Sequence, residues 1–137
     1  MEDLQYEYDM SALVLGQNLI NGKWTIFILW SLSKGKKRFK DLHNFLRHTS
    51  RSILTKQLQE LEHNGLIQRE VYGEVPVRVE YSLTEIGEKL IPVLYALSDW
   101  SKEYVTYSKE DGMSDVDFLR QAFIKDKYKY YRDYPSV

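Results

Sequence analysis

The hydrophobic positions change period once along this chain. Between Gly73 and Gly87, Val77, Val79, Tyr81 and Leu83 alternate with Arg78, Glu80 and Ser82, the spacing of a half-buried strand. Ile67–Tyr72 reads as a second strand and Gly73–Pro76 as the turn between the two. A lone hairpin is marginally stable in water, so this one must lean on helices. The rest of the chain supplies them. Residues 11–21, SALVLGQNLIN, carry Leu13, Leu15, Leu19 and Ile20 and predict a modest helix ended by Asn21-Gly22. KWTIFILWSLS follows, apolar almost all round, and predicts a central buried helix with Trp24 and Trp30 as core residues. KGKKR at 34–38 breaks that pattern with a glycine and a basic cluster.

Phe39, Leu42, Phe45 and Leu46 then space as a short amphipathic helix, interrupted by Arg47-His48-Thr49. Ser50 suits the N-cap of a second helix, 51–64. Its inner stripe is expected to be Ile53, Leu54, Leu58 and Leu61, and Gly65 suits the left-handed position after its end, with Leu66 packing back. Two short helices joined by a tight turn make a helix-turn-helix. The outer face of the second helix carries Ser52, Lys56, Gln59 and His63, flanked by Thr55, with Ser50 and Arg51 near its start. Such a helix is laid in the major groove and reads bases from its N-terminal half. Gln pairs bidentately with adenine, and Lys or Arg with guanine. An ordinary amphipathic surface helix has the same pattern, so the next element matters. A helix-turn-helix followed directly by a hairpin is the order of a winged helix. Its wing would lie beside the recognition helix, with Arg78 near the tip reaching phosphate. A cross-strand ion pair of Arg78 with Glu70 or Glu74 is the competing reading.

Beyond the hairpin, Thr84 caps a long helix over 84–105 in which Ile86, Leu90, Val93, Leu94, Leu97, Trp100 and Tyr104 recur every three or four residues. Such a stripe must be buried, against a twin in a dimer or against helix 11–21 of the same chain, or both. Pro92 is expected to bend it. SKEDGM at 108–113 reads as a linker. Ser114 with Asp117 resembles a capping box for one more short helix through Val116, Leu119, Ala122 and Phe123. The tail KDKYKYYRDYPSV interleaves four tyrosines with basic residues. It can stack on single-stranded nucleic acid, though such tails more commonly pack across the body or a subunit boundary. The expected organisation is an arm (1–10), a winged domain with its long dimerisation helix (11–107) and a C-terminal extension (108–137).

Composition narrows the function. A chain of 137 residues holds one core, and 43% apolar content with 14% aromatics argues against disorder. The absence of cysteine removes disulfides, thiolate metal sites and thiol redox sensing, and suits a reducing compartment. The acidic start MEDLQYEYDM is unlike a signal peptide, and the apolar run TIFILW is far too short for a membrane span. The expected compartment is the cytosol. Net charge is −1, but residues 34–69 hold nine Lys/Arg against three Asp/Glu. A near-neutral protein with one basic block is a candidate polyanion binder, unless the block is simply a solvated face. No cysteine nucleophile, glycine-rich phosphate loop or serine motif points to an enzyme. His43, His48 and His63 lack a metal-ligand spacing, and neither metal nor cofactor is expected.

In order and spacing, GKWT (22–25), Arg38-Phe39 with Leu42, LTKQLQELEHNGLI (54–67), VPVRVEYSLTEIG (75–87) and VLYALSDW (93–100) resemble the HxlR-type winged-helix transcriptional regulators of bacteria, over residues 11–104. The resemblance implies a mainly α fold with a small hairpin: a winged helix-turn-helix flanked by N- and C-terminal dimerisation helices. It also implies homodimers on double-stranded operator DNA. The expected contacts to DNA are Lys36, Lys37, Arg38, Ser50, Arg51, Ser52, Thr55, Lys56, Gln59 and Arg78, and the expected dimer contacts are Leu13, Leu90, Leu94, Leu97, Trp100 and Tyr104. Many members carry a cysteine where Ser11 stands, and many carry Lys or Arg where Ser52 stands, with Arg51 here beside it. An unidentified small-molecule effector would sit between the dimer helices and the winged core, where Trp24, Trp30 and Trp100 are expected to gather; no residue marks a ligand. The competing function is a winged-helix protein-interaction module that does not bind DNA, which would predict an outer face on 51–64 without basic bias.

Overall fold

The computed structural model describes residues 2–47 and 49–125, with side chains to residue 121. Helix α1 (Glu2–Leu19) leads into α2 (Thr25–Leu32), α3 (Phe39–Phe45) and α4 (Arg51–His63). The antiparallel strands β1 (Ile67–Tyr72) and β2 (Arg78–Leu83) follow, and then α5 (Glu85–Ser108) and α6 (Asp115–Lys125). The core lies where α2, α3, α4 and the base of the hairpin meet. Ile28, Leu29, Leu42, Leu46, Leu54, Leu58 and Ile67 are fully buried there. Hydrogen bonding fastens the inner helices at their ends. The backbone N–H of Trp24, ahead of α2, donates to Oε1 of Gln57 on α4 at 2.9 Å. The ring of His43 on α3 lies 3.1 Å from the carbonyl of Thr49, holding the turn before α4.

The boundaries of α4 and α5 follow from capping chemistry. Ser50 Oγ accepts from the N–H of Ile53 at 3.1 Å. At the other end Gly65 takes φ +77°, a left-handed conformation that glycine adopts without Cβ strain. The Gly65 N–H then donates to the carbonyl of Glu62 and the Leu66 N–H to that of Leu61, both at 3.0 Å. These are the paired bonds of a Schellman motif, and they close α4 with Leu66 turned into the core. Thr84 Oγ1 accepts from Gly87 N–H at 3.2 Å and donates to the Gly65 carbonyl at 2.6 Å, so the cap of α5 is bolted to the end of α4. Ser114 likewise caps α6, accepting from Asp117 N–H at 3.1 Å.

Several expectations need correction. The helix expected over 11–21 starts at Glu2, so the acidic arm and that helix are one 18-residue element. Glu2 and Asp3 sit in its first turn, where the helix dipole favours them, and Gln5 donates to Asp9 one turn on at 2.9 Å. Ile53 is 47% exposed and does not belong to the inner stripe, which is Leu54, Leu58 and Leu61. KGKKR does more than interrupt: Lys37 exchanges two backbone hydrogen bonds with Tyr81, of 3.0 and 2.7 Å, adding a one-residue third strand to the hairpin. The apolar positions of α5 divide into two stripes. Gly87, Ile91, Leu94 and Val105 turn inward, whereas Ile86, Val93, Leu97, Trp100, Tyr104 and Tyr107 lie exposed. Leu94, expected at a dimer contact, is 5% exposed within its own chain and belongs to the core. His48, the side chains of Ala122 and Phe123 and the tyrosine-rich tail lie outside the described residues.

Candidate nucleic-acid interface

Burying Leu54, Leu58 and Leu61 obliges α4 to turn its other side outward. Arg51, Ser52, Thr55, Lys56 and Gln59 are all exposed on the helix, with Ser50 at its cap. Lys56 and Gln59 share a shallow groove of about 330 Å³ with Glu60, His63 and Asn64. Arg51 is partly committed, its guanidinium lying 5.4 Å from the centre of the Phe39 ring on α3. The result is a polar outer face of hydroxyls, two cations and one amide, on a helix capped at both ends.

The hairpin stands beside this face. Its register pairs Ile67 with Leu83, Arg69 with Tyr81, Val71 with Val79 and Tyr72 with Arg78. Alternation then separates two faces. Ile67, Arg69 and Val71, with Leu83, Tyr81 and Val79, share the face toward α4, and a cleft of about 270 Å³ between them is lined by Thr55, Leu58, Gln59, Glu62, Arg69 and Tyr81. Gln68, Glu70, Tyr72, Arg78, Glu80 and Ser82 share the other face. There Arg78 lies 3.3 Å from Glu74 and 3.5 Å from Glu80, with its guanidinium 4.1 Å from the centre of the Tyr72 ring. The pairing partner weighed against phosphate from sequence, Glu74, is thus in place.

Lys36 joins the same outer face, its Nζ 3.4 Å from Glu70. The Tyr72 hydroxyl donates to Glu70 at 2.7 Å. That hydroxyl, and then Lys36, hold the Glu70 carboxyl below the usual carboxylate range. Glu70 in turn raises the Lys36 ammonium and the Tyr72 phenol above their ordinary values. Of the basic run, Lys37 is half-buried in the three-stranded bridge. Arg38 is exposed at the start of α3, where its N–H donates to Asp41 at 3.2 Å.

None of the side chains of α1 is buried. Leu4, Tyr6, Tyr8, Leu13 and Leu15 are exposed, Leu13 at 70%, along a helix about 27 Å long at 1.5 Å per residue. On α5, Trp100 is 60% exposed and stacks on Tyr104 with ring centres 5.6 Å apart. Leu90 is partly buried against the core. The three tryptophans do not share one pocket. Trp24 is buried in the core, Trp30 packs against Tyr95 with ring centres 4.7 Å apart and planes tilted by 58°, and Trp100 stands on the open stripe of α5. Among the described residues no helix is long and apolar enough to cross a membrane.

Helix-turn-helix, hairpin and flanking helices together define a winged helix-turn-helix regulator. The model of the HxlR-like helix-turn-helix family matches residues 19–109, and the chain belongs to that family of transcriptional regulators, which are not enzymes. It is 46% identical over 105 residues to YdeP, an HTH-type transcriptional regulator of Bacillus subtilis (strain 168), covering 77% of this chain and 78% of that one. It is 40% identical over 111 residues to an HTH-type transcriptional regulator of Methanothermobacter thermautotrophicus, covering 81% and 85%. Among solved structures, the redox regulator HypR in its reduced form is similar with a TM-score of 0.66 at 37% identity, covering 72% of this chain and 99% of that one.

Proposed function

We propose that this regulator binds operator DNA sequence-specifically as a homodimer, reading an inverted repeat with α4 of each subunit. The observation that carries this is the outward face of α4, where Ser52, Thr55, Lys56 and Gln59 are exposed beside a hairpin. Lys56 and Gln59 are the residues for base edges. Ser50, Arg51, Ser52 and Thr55 sit at the helix start, and Lys36, Lys37 and Arg38, just before α3, complete the candidate contacts. The homodimer is supported by the two long unburied stripes. Leu4 and Leu13 on α1, and Val93, Leu97, Trp100 and Tyr104 along one side of α5, face water, and exposed apolar surface of this kind marks an association face. A second copy covers the same stripe on both subunits under two-fold symmetry.

The test is selection of bound sequences from a random duplex pool, followed by footprinting of the selected site. The expected site is an inverted repeat whose half-site centres lie about 34 Å apart, one helical turn, or a small multiple of that. A single asymmetric half-site bound with the same affinity would refute the dimeric reading. No binding to selected or random duplex at low salt would instead favour the protein-interaction module.

A further inference from the structure

The two faces of the hairpin differ in what their cations do. On the outer face Lys36 and Arg78 are spent on Glu70, Glu74 and Glu80. On the face toward α4 a different row is built. Tyr81 gives both backbone groups to Lys37. A strand residue points its N–H and C=O to the same side, so its pairing with Arg69 on the other side is of the non-hydrogen-bonded kind, in which opposed side chains approach most closely. Residues directly opposite each other project from the same face. Lys37, Tyr81 and Arg69 therefore stand side by side across three backbones, the two cations flanking a phenol and their Cα atoms roughly 10 Å apart at the usual strand spacing. Arg69 and Tyr81 line the cleft whose far wall carries Thr55 and Gln59 of the recognition helix. Neither Lys37 nor Arg69 has an ion-pair partner among the described residues, and Glu62, the one acid lining the cleft, is not within ion-pairing distance of Arg69.

We propose that Arg69, with Lys37 across Tyr81, is the hairpin's contact to a DNA phosphate at the edge of the groove that α4 enters, and that Arg78 is a strut within the hairpin that does not touch DNA. This rests on the DNA-binding reading above. From the sequence alone Arg78 is the expected contact, because it is near the tip. Register and ion pairing reverse the preference: Arg78 is held by two carboxylates and a ring on the far face, whereas Arg69 is exposed and unpaired on the near one. A phosphate contact positions the protein without reading sequence, so its loss should be felt equally on all DNA.

The experiment measures log affinity against log salt for the full chain, on the selected operator and on random duplex. The proteins are wild type, Arg69→Gln, Arg69→Lys, Lys37→Gln and Arg78→Gln. Each phosphate contact contributes about −0.9 to the slope, so losing one per subunit should flatten the dimer's slope by about 1.8 on both duplexes. That is the expected result for Arg69→Gln, while Arg69→Lys keeps the wild-type slope and Arg78→Gln leaves it unchanged. A wild-type slope for Arg69→Gln, or the flattening appearing in Arg78→Gln instead, overturns the inference. Thermal melts check folding. If Arg69→Gln is unfolded at the assay temperature, Lys37→Gln reads the same row, and a wild-type slope there overturns the proposal. Wild type that binds neither duplex sinks the DNA-binding reading itself, an outcome separate from a wild type that binds with a salt slope that Arg69→Gln does not alter.

Discussion

Replacing Gly87 by alanine should loosen the joint between α4 and α5. A Cβ at that position would lie 2.1 Å from the carbonyl oxygen of Leu66 and 3.1 Å from its carbonyl carbon. Close carbon–oxygen contacts settle at about 3.3 Å, so a gap of more than about 1 Å must open. The obstacle is backbone and cannot rotate away. The Leu66 carbonyl also accepts from Thr84 N–H at 3.1 Å, and Thr84 Oγ1 donates to the Gly65 carbonyl at 2.6 Å, so the shift strains both bonds. Overpacking of this kind costs about 1–3 kcal/mol, and a weakened hydrogen bond adds up to about 1 kcal/mol. Against this, alanine gains up to about 1 kcal/mol of helix propensity over glycine. The net expectation is a loss of about 2 kcal/mol, or a fall in Tm of about 8 °C at roughly 4 °C per kcal/mol for a chain of this size. Urea and thermal unfolding followed by circular dichroism, at one fixed protein concentration, measure it. A Gly87→Ala protein as stable as wild type, or more so, would refute the close approach and with it the coupling of α4 to α5.

The open stripe of α5 should be separable from its buried one. Leu97→Glu or Trp100→Glu should yield folded monomers by sedimentation at micromolar concentration, and Leu94→Ala should instead cost about 2–5 kcal/mol of stability as a core deletion. A wild type that sediments as a monomer would rule out the homodimer. Lys56→Ala and Gln59→Ala should each cost about 1–3 kcal/mol on the selected operator and relax preference at one or two base pairs. An equal loss on every sequence would reassign them to the phosphates. Diamide should leave DNA affinity unchanged, since the chain has no cysteine; loss of binding that dithiothreitol restores would contradict this.

Much of the element order was legible where a boundary carries local chemistry. Ser50, Thr84 and Ser114 cap with their own oxygens, and Gly65 takes the one conformation that closes α4 in a Schellman motif. The hairpin was legible from its period of two. What the sequence concealed depends on distant partners. The single-residue strand at Lys37 has no period of its own, and only Tyr81 across the sheet makes it one. The full length of α1 was obscured because Leu4, Tyr6, Tyr8, Leu13 and Leu15 stay exposed and follow no single inner stripe.

The candidate site was harder to read than the fold because counting charge along a chain does not say which way a side chain faces. The block from 34 to 69 is rich in cations, yet Lys36 and Lys37 are neighbours with opposite fates. One is tied to Glu70, and the other stands in the row beside Tyr81. The same parity separates Arg69 from the acids at 70 and 80. On α5 the ambiguity is of the helical period: Leu94 follows Val93 directly, so both fit a spacing of three or four. A single residue's step, 100° around the axis, sends one into the core and leaves the other on the open stripe. In both elements the sequence specifies the spacing, and the packing of the opposite side decides which face is left to function. That is why the two α5 stripes respond to different assays, one to unfolding and the other to association.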